Sequence, residues 1–345
     1  WFDEINEEWL DSRRSKEQIR ILKAYEQPSL IDQFVGNYNN KESIDLIIVS
    51  KNKLSRLLSG IRDFEKEKCI IIHDEVHDLF SKGNVNEIKG LQKDIKYRLG
   101  LSATAEFDEE VSEEHKLRNQ NLYNEVGPII YNFKIEHAIE RGVLVEFNFI
   151  PLNYELNRKE KERKAKLVRA LNSEDIGEAE KEMLRIRVAR INKEALNKID
   201  VLEDFIVTHK NLLNKCFMFT LTMEYGNLVL EKVLPHQFDV KTYYEEGADM
   251  KNLKKFANGE LECIISCKSL SQGINLKRLE NVFFFSIEGK RELIQKMGRV
   301  LRTDLKDNPN KKATVVDFFE SQQMDNQRGA DFLRYQELDK LSKIK

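Results

Sequence analysis

Residues 69–77 read CIIIHDEVH, an apolar run that ends in two adjacent carboxylates. The consecutive apolar residues predict a strand that is buried on both faces, as in a parallel sheet. Asp74 and Glu75 would then lie at the carboxyl edge of that sheet, where open α/β sheets bind their ligands. One carboxylate there can hold Mg²⁺ while its neighbour orients a water molecule. An acidic helix cap would leave the same local pattern.

A second apolar run leads into a turn of small residues. Residues 97–101 predict a strand, and Ser102, Ala103 and Thr104 follow it directly. If this strand is parallel to the first, the two turns meet at one edge of the sheet. Three small residues are a weak signal by themselves, so their meaning depends on the other motifs.

A third motif lies near the end of the chain, where residues 295–302 read QKMGRVLR. A helix would place Arg299 and Arg302, three residues apart, on one face, with Gln295 one turn earlier. Each guanidinium can contact a phosphate in a planar, bidentate way that lysine cannot copy. The alternative interpretation is a basic helix on the surface.

In this order, the three motifs resemble those of the superfamily 2 helicases and translocases. The similarity is to the branch that contains XPB-type helicases and the motor subunits of type I and type III restriction enzymes. It implies an α/β fold with two RecA-like parallel-sheet domains in tandem. It also implies a nucleic-acid-stimulated ATPase that uses ATP and Mg²⁺ and moves along the backbone, with DNA favoured over RNA.

The resemblance also implies roles for single residues. Asp74 would hold Mg²⁺ and Glu75 would orient the attacking water, so both belong to the metal site. His77 would link the nucleotide to Ser102, Ala103 and Thr104, and so couple hydrolysis to movement. Gln295, Arg299 and Arg302 would act on the nucleotide, the two arginines as arginine fingers.

Weaker matches extend the resemblance to nucleotide and nucleic-acid contacts. Gly273 and Asn275 would meet ATP, although Asn275 stands where this branch usually has Asp, which removes a charge. The residues expected to contact the nucleic-acid backbone are Ser50, Lys51, Thr220, Thr222 and Ser269. Serine and threonine also cap helices, so these matches have low specificity.

Composition and periodicity predict four parts of the chain. Residues 1–153 would be an incomplete first RecA-like domain, 154–208 a charged helical connector, 209–320 the second domain and 321–345 a helical tail. In the connector, apolar residues recur at helical spacing from Leu184 to Leu202 and predict one long helix. Its polar side carries Arg185, Arg187, Arg190, Lys193 and Lys198. Those charges indicate either a solvated face or a nucleic-acid or partner contact.

Bulk composition narrows the class of protein. The 345 residues carry a net charge of −2 with 34% charged residues, so any nucleic-acid surface must come from local clustering of Lys and Arg. The four cysteines form no zinc pattern and predict reduced core thiols. We find no signal peptide and no apolar run that could span a bilayer, which favours a cytoplasmic protein without a membrane role.

The string Gly-x-x-x-x-Gly-Lys-Ser/Thr, which cradles ATP phosphates, does not occur in the sequence. We therefore expect an N-terminally truncated motor whose P-loop unit lies upstream, and an inactive fragment. Two alternatives stay open: a non-catalytic nucleic-acid-binding scaffold that has lost its P-loop, and an RNA helicase. A nuclease or specificity partner, or a further N-terminal domain, would complete a restriction-type system.

Overall fold

The computed structural model describes residues 5, 19–36, 44–80, 88–106, 113–173, 176–244, 249–267, 276–287, 289–304 and 308–344. The chain divides into two compact units, residues 1–132 and residues 133–345. Both units are built on parallel strands with helices between them, which confirms the predicted α/β class.

The first unit contains two parallel pairs of short strands among its described residues. The strands are β1 (Ile19–Lys23), β2 (Ile44–Ile48), β3 (Ile70–His73) and β4 (Tyr97–Gly100). The helices are α1 (Ser29–Gly36), α2 (Leu54–Gly60), α3 (Asp63–Lys66) and α4 (Glu113–Glu125), with 3-10 turns at Lys51–Lys53 and Val76–Phe80. β1 pairs with β2 and β3 pairs with β4. The strands predicted before Asp74 and Ser102 are confirmed.

β3 is packed on one face, not on both as the sequence predicts. Ile71 packs against the core around Leu54 and Leu58, whereas Ile70 and Ile72 are 66% and 53% exposed. Side chains alternate between the two faces of a strand, so one open face exposes every second residue. An apolar run therefore indicated the strand correctly but overstated its burial.

The second unit alternates strands and helices. Its strands are β5 (Phe147–Tyr154), β6 (Cys216–Phe219), β7 (Val240–Tyr243), β8 (Cys263–Ser266), β9 (Asn281–Phe284) and β10 (Ala313–Glu320). Its helices are α5 (Ile135–Glu140), α6 (Arg158–Leu171), α7 (Glu178–Lys193), α8 (Asn197–Thr208), α9 (Met223–Val233), α10 (Met250–Ala257), α11 (Lys290–Val300), α12 (Ser321–Asp325) and α13 (Ala330–Ser342). A 3-10 turn, Lys210–Leu213, precedes β6.

The six strands form one parallel sheet in the order β5-β10-β9-β6-β8-β7. β6, β8 and β9 are buried along their whole length, because an apolar core covers each face. β8 and β9 lie on opposite sides of β6, so the chain crosses β6 between them. The carboxyl ends of these three strands therefore form a switch point, the place where open α/β sheets bind ligands.

β5 belongs to this second sheet. It pairs with β10 from Phe147 opposite Ala313 to Tyr154 opposite Glu320. The sequence instead places residues 147–153 at the end of the first domain, because they follow its motifs along the chain. Strand pairing depends on contacts between distant residues, so chain order alone does not reveal the partner of β5.

The connector contains three helices, and two of them, α7 and α8, occupy residues 184–202, where the periodicity predicts one long helix. The predicted apolar face is buried at Leu184, Ile191 and Leu202. The helix is interrupted, however, between the end of α7 at Lys193 and the start of α8 at Asn197. Glu160 of α6 accepts a hydrogen bond from the backbone N–H of Leu196 at 2.9 Å, which stabilises this interruption.

Lys198 is buried, whereas the sequence indicated either a solvated face or a nucleic-acid or partner contact. Its Nζ donates a hydrogen bond to the backbone oxygen of Phe285 at 2.8 Å and lies 4.7 Å from the ring centroid of Tyr154. This side chain thus joins the ends of β5 and β9. Loss of hydration on burial lowers the pKa of Lys198 to about 8, although Asp331 and Asp317 favour the charged form.

We expect the free energy of unfolding to contain a term from Lys198 that rises between about pH 8 and about pH 10.5. In this range the unfolded chain keeps the proton, whereas folded Lys198 has lost it, so raising the pH favours the folded state. Lys198→Met removes this titration. Urea unfolding at pH 7.5 and pH 10 should show the difference in stability, parent minus variant, increasing with pH. A difference that does not change with pH would contradict the assignment.

Candidate functional site

The carboxylate pair lies in a sharp turn directly after β3. Asp74 is exposed, and its Oδ1 accepts the backbone N–H of Glu75 at 3.0 Å. Glu75 has a φ of +47°, in the left-handed region that residues other than glycine seldom adopt. The turn leads the chain straight into the 3-10 turn Val76–Phe80. It leaves the Asp74 carboxylate open to solvent and the Glu75 carboxylate half-buried.

Backbone hydrogen bonds hold the ends of β3 and β4 side by side. The N–H of Leu101 donates to the oxygen of His73 at 2.8 Å, and the N–H of Val76 donates to the oxygen of Leu101 at 3.0 Å. The carboxylate turn and the turn at Ser102 are therefore adjacent.

His77 contacts both turns. It is buried, and its Nδ1 lies 2.8 Å from Ser102 Oγ and 3.4 Å from Glu75 Oε2. Ser102 Oγ also accepts the backbone N–H of Thr104 at 3.2 Å, while Ala103 is exposed. The structure thus brings together the residues predicted for coupling with one of the two predicted carboxylates.

Asp78 is a residue that the sequence motifs did not single out. Its Oδ1 lies 3.2 Å from His77 Nε2, and its Oδ2 accepts a hydrogen bond from Lys51 Nζ at 2.8 Å. Lys51, predicted to contact nucleic acid, is therefore connected through Asp78 to His77. Ser50 donates to Asn52 Oδ1 at 2.6 Å. The sequence signal that could have identified Asp78 is its position directly after His77.

The second unit has a cavity of about 290 Å³ at the switch point of its sheet. The lining residues come from the carboxyl ends of β6, β8 and β9 and from α11: Thr220, Leu221, Cys267, Ser286, Glu292, Gln295 and Lys296. Two of the predicted site residues, Thr220 and Gln295, are among them. Thr222 instead caps the amino end of α9, where its Oγ1 accepts the N–H of Tyr225 at 3.3 Å.

Lys296 is a second residue that the motifs did not single out. It is buried, with its Nζ 4.0 Å from the ring centroid of Phe219 and 2.7 Å from Glu292 Oε1. A cation close to an aromatic ring and removed from water interacts strongly with it. The sequence shows a Glu and a Lys four residues apart, but only the packing of α11 on β6 shows that this pair is buried in a cavity wall.

Arg299 and Arg302 do not share a helix face as predicted. Arg299 lies on α11 and is partly buried, but α11 ends at Val300. Arg302 is exposed beyond the helix end, where it forms an isolated antiparallel bridge with Leu144. The N–H of Val145 donates to the oxygen of Leu301 at 2.8 Å, and this pairing replaces a further helical turn.

The remaining predicted contacts, Ser269, Gly273 and Asn275, lie outside the described residues.

Two family models match the chain. Residues 4–107 match the type III restriction enzyme res subunit, and residues 197–304 match the helicase conserved C-terminal domain. Together they span more than half of the chain and contain the carboxylate, Ser-Ala-Thr and arginine motifs. The chain belongs to the superfamily 2 helicases. Within them it falls in the branch of the restriction-enzyme motors, as the resemblance predicted.

Solved structures agree with this helicase fold. Dbp5 of S. cerevisiae, bound to RNA and ADP BeF3, is 14% identical, with a TM-score of 0.50. The match covers 95% of this chain and 76% of the Dbp5 chain. A structure described as an HsdR subunit of a type I restriction enzyme from Vibrio vulnificus is 15% identical, with a TM-score of 0.52 and coverages of 91% and 55%. The type ISP enzyme LlaBIII, bound to DNA, is 13% identical, with a TM-score of 0.51 and coverages of 88% and 23%.

No curated protein matches the sequence. In the part of the chain that the structure describes, no helix is both long and apolar enough to cross a membrane.

Proposed function

We propose that this helicase chain belongs to an ATP-driven motor that moves along nucleic acid. The observation that carries the proposal is the contact of His77 with Ser102, 2.8 Å from Nδ1 to Oγ. It connects the turn that carries both carboxylates with the turn after β4. A change at the carboxylates can therefore shift the second turn, which is what coupling hydrolysis to movement requires.

The donor set at the end of β3 fits a magnesium-bound nucleotide. Mg²⁺ is usually held by one or two carboxylates together with substrate phosphates and water, and Asp74 offers an exposed carboxylate. Bound Mg²⁺-ATP would supply the γ-phosphoryl group and the charge that neutralises it. Glu75, next to Asp74 and within 3.4 Å of His77, would orient the attacking water.

Residues of the second unit would stabilise negative charge on the nucleotide. We assign this role to Arg299 and Arg302, with Gln295 as a hydrogen-bonding neighbour at the cavity. Since Arg302 lies beyond α11, the two arginines would approach a phosphate from different elements and not as one helical stripe. Gly273 and Asn275 would complete the nucleotide contacts, as the family resemblance implies.

The restriction-enzyme relatives favour DNA over RNA as the nucleic acid along which the motor moves. The first unit matches a type III restriction enzyme model, and LlaBIII was solved bound to DNA, whereas Dbp5 was solved bound to RNA. We assign backbone contacts to Ser50, Lys51, Thr220, Thr222 and Ser269. Contacts of this kind bind with little base preference and weaken steeply with salt.

A partner is part of the proposal. The chain covers 55% of the HsdR structure and 23% of LlaBIII. We propose that cleavage or sequence recognition is supplied by a nuclease or specificity partner, or by a further domain.

The decisive experiment measures ATP turnover with and without DNA, and separately with RNA. It compares the chain of 345 residues, which contains no P-loop motif, with a version extended upstream through a P-loop. We expect DNA-stimulated turnover in the extended version alone. DNA binding without turnover in either protein would favour a nucleic-acid-binding scaffold. Stimulation of turnover by RNA alone would identify RNA as the nucleic acid along which the motor moves.

A further inference from the structure

Helix α6 presents a row of positive charges that the motor motifs do not use. It contains seven Lys or Arg and two Glu among its 14 residues. Lys159, Arg163 and Lys166 follow one another at spacings of four and three, so they lie along one face of the helix. We call these three residues the α6 stripe. All three are exposed, and within the described residues their charged groups have no ion-pair or hydrogen-bond partner.

The orientation of the α6 stripe is determined by the buried side of the helix, about 100° round the helix axis from the stripe. Glu160 accepts backbone N–H groups from Asn157 and Leu196, each at 2.9 Å. Lys164 forms an ion pair of 2.7 Å with buried Glu320, and Leu167 packs against the core. The second acidic residue of α6, Glu162, pairs with Arg158 at 2.9 Å. Neither glutamate therefore neutralises the stripe.

The neighbouring helix α7 differs, although it has a similar composition. Three of its five cations have acidic partners one helical turn away: Lys181 with Glu178 at 3.1 Å, Arg185 with Glu182 at 3.3 Å, and Arg190 with Glu194 at 2.7 Å. Arg187 is exposed without such a partner among the described residues. An exposed pair of this kind is nearly neutral at a distance. Exposed cations without an ion-pair partner are thus more numerous on α6, with three in the stripe, than on α7 among the described residues.

The α6 stripe begins beside the functional edge of the sheet. α6 starts four residues after β5 ends, and all six strands are parallel, so it leaves from the same edge as the cavity. Buried Lys198 contacts both Tyr154, at the end of β5, and Phe285, which precedes the cavity residue Ser286. A polymer that follows this edge would therefore reach α6.

We propose that Lys159, Arg163 and Lys166 form a second contact to the phosphate backbone of the nucleic acid, outside the helicase motifs. At 1.5 Å per residue the stripe is about 10 Å long. Successive phosphates of one strand are about 3.4 Å apart along a duplex, so the three cations can face three phosphates of one strand. The contact adds affinity and is independent of base sequence. This inference rests on the proposed function.

The test compares two triple variants with the same change in charge. Lys159→Gln, Arg163→Gln and Lys166→Gln removes the α6 stripe, and Lys181→Gln, Arg185→Gln and Arg190→Gln removes the paired cations of α7. Binding to a 20-base-pair DNA duplex is measured without nucleotide at several salt concentrations. We expect the slope of log K against log salt to decrease by about 2.7 in the α6 variant and by less than about 1 in the α7 variant.

Between 50 and 200 mM salt, that change in slope means that the parent loses about 40-fold more affinity than the α6 variant. An unchanged slope in the α6 variant, with DNA binding intact and DNA-stimulated turnover observed in the version extended through a P-loop, would overturn the α6 contact and leave the proposed function standing. Equal changes in both variants would also overturn it, because bulk charge would then be the cause. A parent chain that binds an acidic polypeptide but no nucleic acid would overturn both proposals.

Discussion

Glu75→Gln is expected to reduce ATP turnover of the P-loop-containing protein by at least about 100-fold, the usual contribution of a positioned acid or base. The amide keeps the shape of the side chain but cannot accept a proton from the attacking water. Glu75 is one residue from Asp74, and its Oε2 is 3.4 Å from His77. A steady-state phosphate-release assay at saturating DNA measures the effect.

Glu67→Gln is the matched control, because it removes the same charge from an exposed residue eight positions earlier. We expect the control to keep the turnover of the parent. DNA binding should be retained in both variants, since the proposed role of Glu75 is on the nucleotide and not on the DNA. Turnover in Glu75→Gln within about 10-fold of the parent would exclude its assigned role.

Arg334→Ala is expected to lower the free energy of unfolding by about 3–5 kcal/mol, the cost of removing one partner from a buried ion pair. Arg334 on α13 donates from Nε to Asp317 Oδ2 at 2.6 Å and from Nη1 to Asp331 Oδ1 at 3.1 Å. Without it, the fully buried carboxylate of Asp317 loses its cation. Urea unfolding followed by circular dichroism measures the loss.

Lys340→Ala tests the same helix without the buried pair. Lys340 is exposed, and its Nζ is 3.8 Å from Glu136, so its loss should change stability by less than about 0.5 kcal/mol. Arg334→Lys should be intermediate, because lysine keeps the charge but not the planar fork that meets Asp317 at two atoms. A stability of Arg334→Ala within 1 kcal/mol of the parent, on the order of a surface change, would contradict the prediction.

Much of the fold could be predicted because strands and helices leave local patterns. The apolar runs before Asp74 and before Ser102 predicted the strands that the structure shows as β3 and β4. The same runs predicted that Asp74 and Ser102 follow neighbouring strands. The position of β5 could not be predicted, because its partner β10 begins 166 residues later. The apolar sequences of β5 and β10 are compatible with any position in a parallel sheet, so they do not identify each other as partners.

In the candidate site, too, some residues could be predicted from the sequence and others could not. The motifs located Glu75, His77 and Ser102, but not Asp78 or Lys296, whose roles depend on neighbours from other elements. The helical spacing of Arg299 and Arg302 was read as one face, but the helix ends between them. A pairing of the backbone at Leu301 with Val145 competes with the next helical turn, and no local pattern reports that competition.

The sequence by itself therefore determined the family, the α/β class and the order of the motifs, because hydrophobic periodicity and residue type act over a few neighbouring positions. Only the tertiary structure decided which charges are free. Lys198 is buried against Tyr154, Lys181 and Arg190 of α7 are paired, and the α6 stripe is exposed, although all of them are Lys or Arg on helices. The electrostatic effect of a charge depends on its solvation and on the distance to its partners, and both are set by packing.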